Sequence, residues 1–85
     1  MVPKRSLLDQ MKDSPQADWT IEDVKKLCTK IGLGCRSPSS GSHYVVYSEF
    51  LPGALTVPAR RPIKARYIQM LVALATSHNA AKEVK

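Results

Sequence analysis

Glycine and proline interrupt the middle of the chain at short intervals, and this spacing constrains the fold more than any other feature. The breakers are Gly32, Gly34, Pro38, Gly41, Pro52, Gly53, Pro58 and Pro62. Between them, residues 42–48 and 54–57 are rich in β-branched, aromatic and aliphatic side chains, which predicts two strands. Residues 33–36 predict a shorter strand before them. Because the connections are short and turn-like, the pattern favours an antiparallel meander.

Amphipathic patterns flank this meander on both sides. Thr20 precedes Glu22 and Asp23, an arrangement typical of a helix start. The apolar residues that follow at helical spacing are Ile21, Val24, Leu27, Cys28 and Ile31. A second helix is predicted from Pro62 to about Thr76. Its apolar stripe comprises Ile63, Tyr67, Met70, Leu71 and Leu74.

The order helix, three strands, helix predicts an α+β domain in which both helices cover one face of an antiparallel sheet and the other face is free for a partner. With 85 residues the chain has room for one small domain. We predict a flexible N-terminal extension over residues 1–18, the folded domain over 19–77 and a polar tail over 78–85. No apolar stretch approaches the roughly 20 residues that span a bilayer, and no signal-type segment follows the start, so a cytoplasmic location is expected.

Positive charge is concentrated near the C-terminus. The chain has 13 Lys and Arg against 7 Asp and Glu, a net charge of +6. Four cations fall within seven residues, and we call them the basic cluster: Arg60, Arg61, Lys64 and Arg66. This density is typical of phosphate contacts, and a solvated helix end is the alternative interpretation.

Two cysteines and two histidines raise the question of a metal site or a disulfide. The spacing of Cys28, Cys35, His43 and His78 matches no common pattern of zinc ligands. We therefore expect no metal and no cofactor. Cys28 belongs to the apolar stripe of the first helix and is expected to be a small core residue in a compartment that keeps thiols reduced.

Three short motifs occur in order: Gly-Ser-His-Tyr at 41–44, Leu-Thr-Val-Pro at 55–58 and Pro-Ile-Lys at 62–64. From about residue 19 to residue 75 the chain resembles the HicA family of toxin–antitoxin mRNA interferases. The resemblance implies the fold of a double-stranded RNA-binding domain, which has the predicted order of elements. The chain departs from the family at 59–61, where Ala-Arg-Arg stands in place of the histidine that relatives often carry soon after the proline.

By this resemblance His43 is the catalytic residue. RNA carries its own nucleophile, the 2′-hydroxyl beside the scissile phosphate, and imidazole accepts a proton near neutral pH. Cleavage would give a 2′,3′-cyclic phosphate and a 5′-hydroxyl without metal, and the basic cluster would supply positive donors to the phosphorane. The implied partners are mRNA and a HicB-like antitoxin, with no DNA and no membrane.

The neighbours of His43 are predicted RNA-binding residues, each with a structural alternative. Gly41 permits close phosphate approach or serves as a turn glycine with positive φ. Ser42 orients His43 or caps the turn. Tyr44, like Tyr47, stacks on bases or packs in the core. Alternation along the strand does not decide the face of His43, because each side carries one valine and one tyrosine.

Two further functions remain open from the sequence. The same fold is compatible with a non-catalytic RNA-binding module that grips phosphates through the basic cluster, with His43 as a contact. A protein-interaction adaptor that uses the free sheet face also fits the fold but leaves the basic cluster unexplained.

Overall fold

The computed structural model describes residues 6–38 and 41–84. Its helices and strands are α1 (Leu7–Asp13), α2 (Ile21–Ile31), β1 (Gly34–Arg36), β2 (His43–Tyr47), β3 (Ala54–Pro58) and α3 (Ala65–Val84). The predicted α+β class is confirmed, with α1 added before the predicted order of elements. In the part of the chain that the structure describes, no helix is long and apolar enough to cross a membrane.

Helix α2 begins where the sequence predicts and ends at one of the glycines named as breakers. Thr20 is the N-cap and forms a capping box with Asp23, in which each side chain accepts a hydrogen bond from the backbone N–H of the other residue. Gly32 ends the helix in the left-handed region at φ 84°, which a side chain would strain. Its N–H donates to the Cys28 carbonyl at 2.8 Å.

The three strands form an antiparallel sheet in the order β1-β2-β3. Val46 of β2 and Val57 of β3 are buried on the face that packs against the helices. On the opposite face, which we call the outer face, His43, Tyr47 and Thr56 are exposed. Because side chains alternate along a strand, burial of Val46 places His43 on the outer face.

The N-terminal region differs from the predicted flexible extension. Residues 7–13 form α1, which packs against α3, and Met11 is completely buried in the core. The Trp19 indole N–H donates to the Ser14 carbonyl at 2.7 Å, a hydrogen bond that stabilises the connection between α1 and α2. The cluster of Leu7, Leu8 and Met11 is thus part of the single core, and residues 1–5 lie outside the described residues.

Helix α3 is longer than predicted and begins later. It starts at Ala65 rather than Pro62, and before it the Ile63 N–H donates to the Trp19 carbonyl at 2.9 Å. It continues to Val84, so the segment predicted as a polar tail is helical throughout its described part. The buried residues of the helix are Ile68, Leu71, Ala75 and His78. The predicted stripe is therefore wrong at Met70, which is 47% exposed.

Cys28 is a buried core residue, as predicted. Burial raises the pKa of its thiol from 9.0 to about 12, and the nearby Cys35 thiol adds to the effect. Because the folded state holds this proton more tightly, its contribution to stability is present below pH 9.0 and falls as the pH rises toward 12.

We expect iodoacetamide to label Cys28 far more slowly in the folded protein than in denaturant, because the thiolate is the reactive form. Mass spectrometry after timed labelling at mildly alkaline pH measures this ratio. Equal rates in both states would contradict the burial of the thiol.

Candidate active site

The start of β2 and the end of β3 are held side by side. His43 lies opposite Pro58 in the sheet register. The Ala59 N–H donates to the Ser42 carbonyl at 2.7 Å and extends the pairing by one residue beyond the strands. The chain then turns into α3, so the first turn of that helix lies beside His43.

A cleft of about 240 Å³ that is open to solvent lies between these segments, and we call it the His43 cleft. Its lining residues are Ser42, His43, Pro58, Arg60, Lys64, Arg66 and Tyr67. The volume falls below the roughly 300 to 1,000 Å³ of pockets that enclose whole small molecules. An open cleft of this size suits a short part of a polymer better than an enclosed cofactor.

The His43 cleft has a positive lining. Arg60, Lys64 and Arg66 contribute three cations, and no acidic side chain of the described residues lines it. The cleft lies at the N-terminal end of α3, where the helix dipole adds positive potential. His43 itself is exposed, and its ring makes no hydrogen bond within residues 6–38 and 41–84. Exposure of the side chain leaves the imidazole ring accessible from solvent.

Tyr67 is a cleft residue that the sequence analysis assigned to the apolar stripe. Its hydroxyl accepts a hydrogen bond from the Arg66 guanidinium at 3.2 Å, and that guanidinium lies 5.0 Å from the centroid of the Tyr67 ring. The pair occupies the first turn of α3 beside His43. No local signal marks Tyr67 as a cleft residue, because helical spacing alone places it in the apolar stripe.

Three predicted site residues do not line the His43 cleft. Gly41 has φ 82°, in the left-handed region that favours glycine, so this residue meets the needs of a turn. Tyr44 is half-buried on the helix side of the sheet, where the Lys25 ammonium lies 5.0 Å from its ring centroid. Arg61 is exposed to solvent outside the cleft.

The second histidine is structural. His78 is buried, and its Nδ1 lies 2.6 Å from the Ser48 hydroxyl while its Nε2 lies 2.8 Å from the Ile31 carbonyl oxygen. Since a carbonyl can only accept, Nε2 donates to it, and in the neutral ring Nδ1 accepts from Ser48. Ser48 accepts in turn from the Phe50 N–H at 3.1 Å. The network links α3 to the end of α2 and to the loop after β2.

The zinc site considered from the sequence does not assemble. Within the described ranges, no three His, Cys, Asp or Glu side chains lie close enough together to hold a metal ion. His43 and His78 occupy separate surroundings, the exposed cleft and the buried core.

Neutralising the cleft cations is expected to flatten the salt dependence of RNA binding. If Arg60, Lys64 and Arg66 each contact a phosphate of a single strand, the triple alanine variant should lower the slope of log affinity against log salt by about 2.1, at about 0.7 per contact. Arg61→Ala is the matched control and should leave the slope unchanged, because Arg61 lies outside the cleft. If the triple variant keeps the wild-type slope, the cleft cations do not contact phosphates and are only solvated surface charges.

Comparison of the chain with protein-family models, with curated proteins and with solved structures finds no match in any of the three.

Proposed function

We propose that this chain is a metal-independent endoribonuclease that cleaves mRNA in the His43 cleft, acting in the cytoplasm as the toxin of a toxin–antitoxin pair. The observation that carries the proposal is the assembly of His43 with Arg60, Lys64 and Arg66, which are 17 or more residues away in the sequence. A general base beside three cations is the arrangement that phosphodiester transfer needs. The resemblance to the HicA family supports the same assignment.

The proposed reaction assigns one role to each group of the cleft. His43 removes the proton of the 2′-hydroxyl while the 2′-oxygen bonds to phosphorus. The bond from phosphorus to the 5′-oxygen breaks, and the leaving oxygen takes a proton from water. The cleft cations stabilise the negative charge that develops on the phosphorane oxygens. The products are a 2′,3′-cyclic phosphate and a 5′-hydroxyl.

An antitoxin would inhibit the enzyme by covering this cleft. A HicB-like partner with an acidic surface would pair with the same cations that bind RNA. The triple alanine variant should therefore lose affinity for both RNA and the antitoxin.

A non-catalytic RNA-binding module is the second candidate function. It is favoured by the three cations that line the His43 cleft, which suit phosphate binding whether or not the RNA is cut. RNA binding without cleavage by purified wild-type protein would establish this candidate and reject the endoribonuclease.

Cleavage is expected to continue in excess EDTA, because the 2′-hydroxyl makes a metal-generated hydroxide unnecessary. DNA of the same sequence should remain uncut, because it lacks that hydroxyl. Gel analysis of a labelled RNA and its DNA counterpart, each with and without chelator, measures both effects. Loss of RNA cleavage on chelation, restored by magnesium, would contradict the mechanism.

A further inference from the structure

Tyr47 is the exposed aromatic ring on the outer face of the sheet. Its side chain is 39% exposed, and it shares the outer face with His43. The two residues are four positions apart on β2, a separation of about 13 Å along the strand. The ring is therefore within reach of a polymer strand that passes through the His43 cleft.

The residue that pairs with Tyr47 on the neighbouring strand leaves room for this ring. Gly34 of β1 lies opposite Tyr47, and a Cβ on Gly34 would overlap the ring atoms. The ring can pack over the backbone there only because that position is glycine, and the side chain still keeps part of its surface exposed to solvent. The Arg36 guanidinium lies 6.0 Å from the ring centroid and adds positive charge beside it.

We propose that Tyr47, with Arg36, stacks against an unpaired base of the single-stranded RNA whose phosphate is held in the His43 cleft. The proposal rests on the proposed function for its substrate. Aromatic rings and guanidinium planes on open sheet faces are the groups that bind splayed RNA bases. Charge complementarity favours a nucleic acid, since Arg36 extends the positive lining of the cleft along the outer face.

A protein partner fits this surface less well. A stable protein interface needs a desolvated core with several large apolar anchors. The outer face offers Tyr47 among smaller or polar exposed neighbours such as Ala54 and Thr56.

The test measures binding of oligoadenylate and of its abasic counterpart to the His43→Ala protein, so that cleavage plays no part. Tyr47→Ala should weaken oligoadenylate binding by about 5- to 150-fold, the range for one base stacked on an aromatic ring. It should leave abasic binding and the salt slope unchanged, because no phosphate contact is lost. Tyr47→Phe should retain the affinity, and Met70→Ala, which removes an exposed large apolar side chain of α3, serves as the control.

The outcomes separate this inference from the proposed function. Equal oligoadenylate affinity of the Tyr47→Ala and parent proteins overturns the stacking site, even if wild-type protein cleaves RNA. The same holds if Tyr47→Ala still prefers oligoadenylate over the abasic chain by the parent ratio. Base-dependent binding through Tyr47 without any cleavage by wild-type protein supports the stacking site and rejects the endoribonuclease.

Discussion

Replacing His43 with alanine is expected to lower RNA cleavage by about 100- to 10,000-fold, the usual contribution of a general base. Its exposed ring makes no hydrogen bond within the described part of the chain, so the substitution should leave the free energy of unfolding unchanged within about 0.5 kcal/mol. Single-turnover cleavage of a labelled RNA and a chemical denaturation curve measure the two quantities.

Thr56→Ala provides a matched control for His43→Ala. Thr56 is also exposed on the outer face but does not line the cleft. This variant should cleave at the wild-type rate. A folded His43→Ala protein that cuts RNA as fast as the wild type would reject His43 as the base.

The opposite result is expected at the second histidine. His78→Ala should destabilise the fold by about 2–4 kcal/mol, because it removes a buried ring and leaves the Ile31 carbonyl without the Nε2 donor and Ser48 without Nδ1. Cleavage per folded molecule should not change, because the ring lies in the core rather than in the cleft. Denaturant midpoints and cleavage rates measured well below the unfolding transition test both parts.

His78→Gln distinguishes the lost hydrogen bonds from the lost volume. Its amide NH2 can donate to the Ile31 carbonyl and its amide oxygen can accept from the Ser48 hydroxyl, so this variant should cost less stability than alanine. A loss below about 0.5 kcal/mol for His78→Ala would contradict the buried network. A loss of cleavage in folded His78→Ala would assign this histidine a part in the chemistry.

Local signals account for the elements that the sequence predicts well. Both ends of α2 are determined by residues within one turn of them, namely Thr20 and Asp23 at the start and Gly32 at the end. The strands are likewise bounded by nearby breakers: β2 is one residue shorter than predicted at each end, and β3 is one residue longer at its C-terminal end.

The sequence did not predict helix α1 or the C-terminal part of α3. Both depend on contacts with residues that are distant in the chain. His78 is a polar residue in a polar-looking segment, yet its ring bonds to residues 30 and 47 positions away. Met11 belongs to a segment with few apolar residues and is buried only because α1 meets α3. No local sequence pattern predicts the burial of either His78 or Met11.

The candidate site was predictable in its parts but not in its geometry. The motif around His43 and the basic cluster were visible in the sequence. Which cations of that cluster line the cleft, and that Arg61 does not, depends on how the chain turns into α3. Alternation alone places Tyr44 and Tyr47 on opposite sides of β2. Because the two sides are equally apolar, only the burial of Val46 shows which side faces the helices.

Cleavage of an RNA that carries a single 2′-deoxy nucleotide tests the central claim most directly. The site of cleavage is first mapped with purified wild-type protein, and the nucleotide whose 2′-hydroxyl is adjacent to the scissile phosphate is then replaced. We expect the unmodified RNA to yield a 2′,3′-cyclic phosphate and a 5′-hydroxyl, identified by mass spectrometry, and the substituted RNA to remain intact at that bond. Cleavage at the same bond in the 2′-deoxy substrate would contradict the proposed role of the 2′-hydroxyl and of His43 as its base.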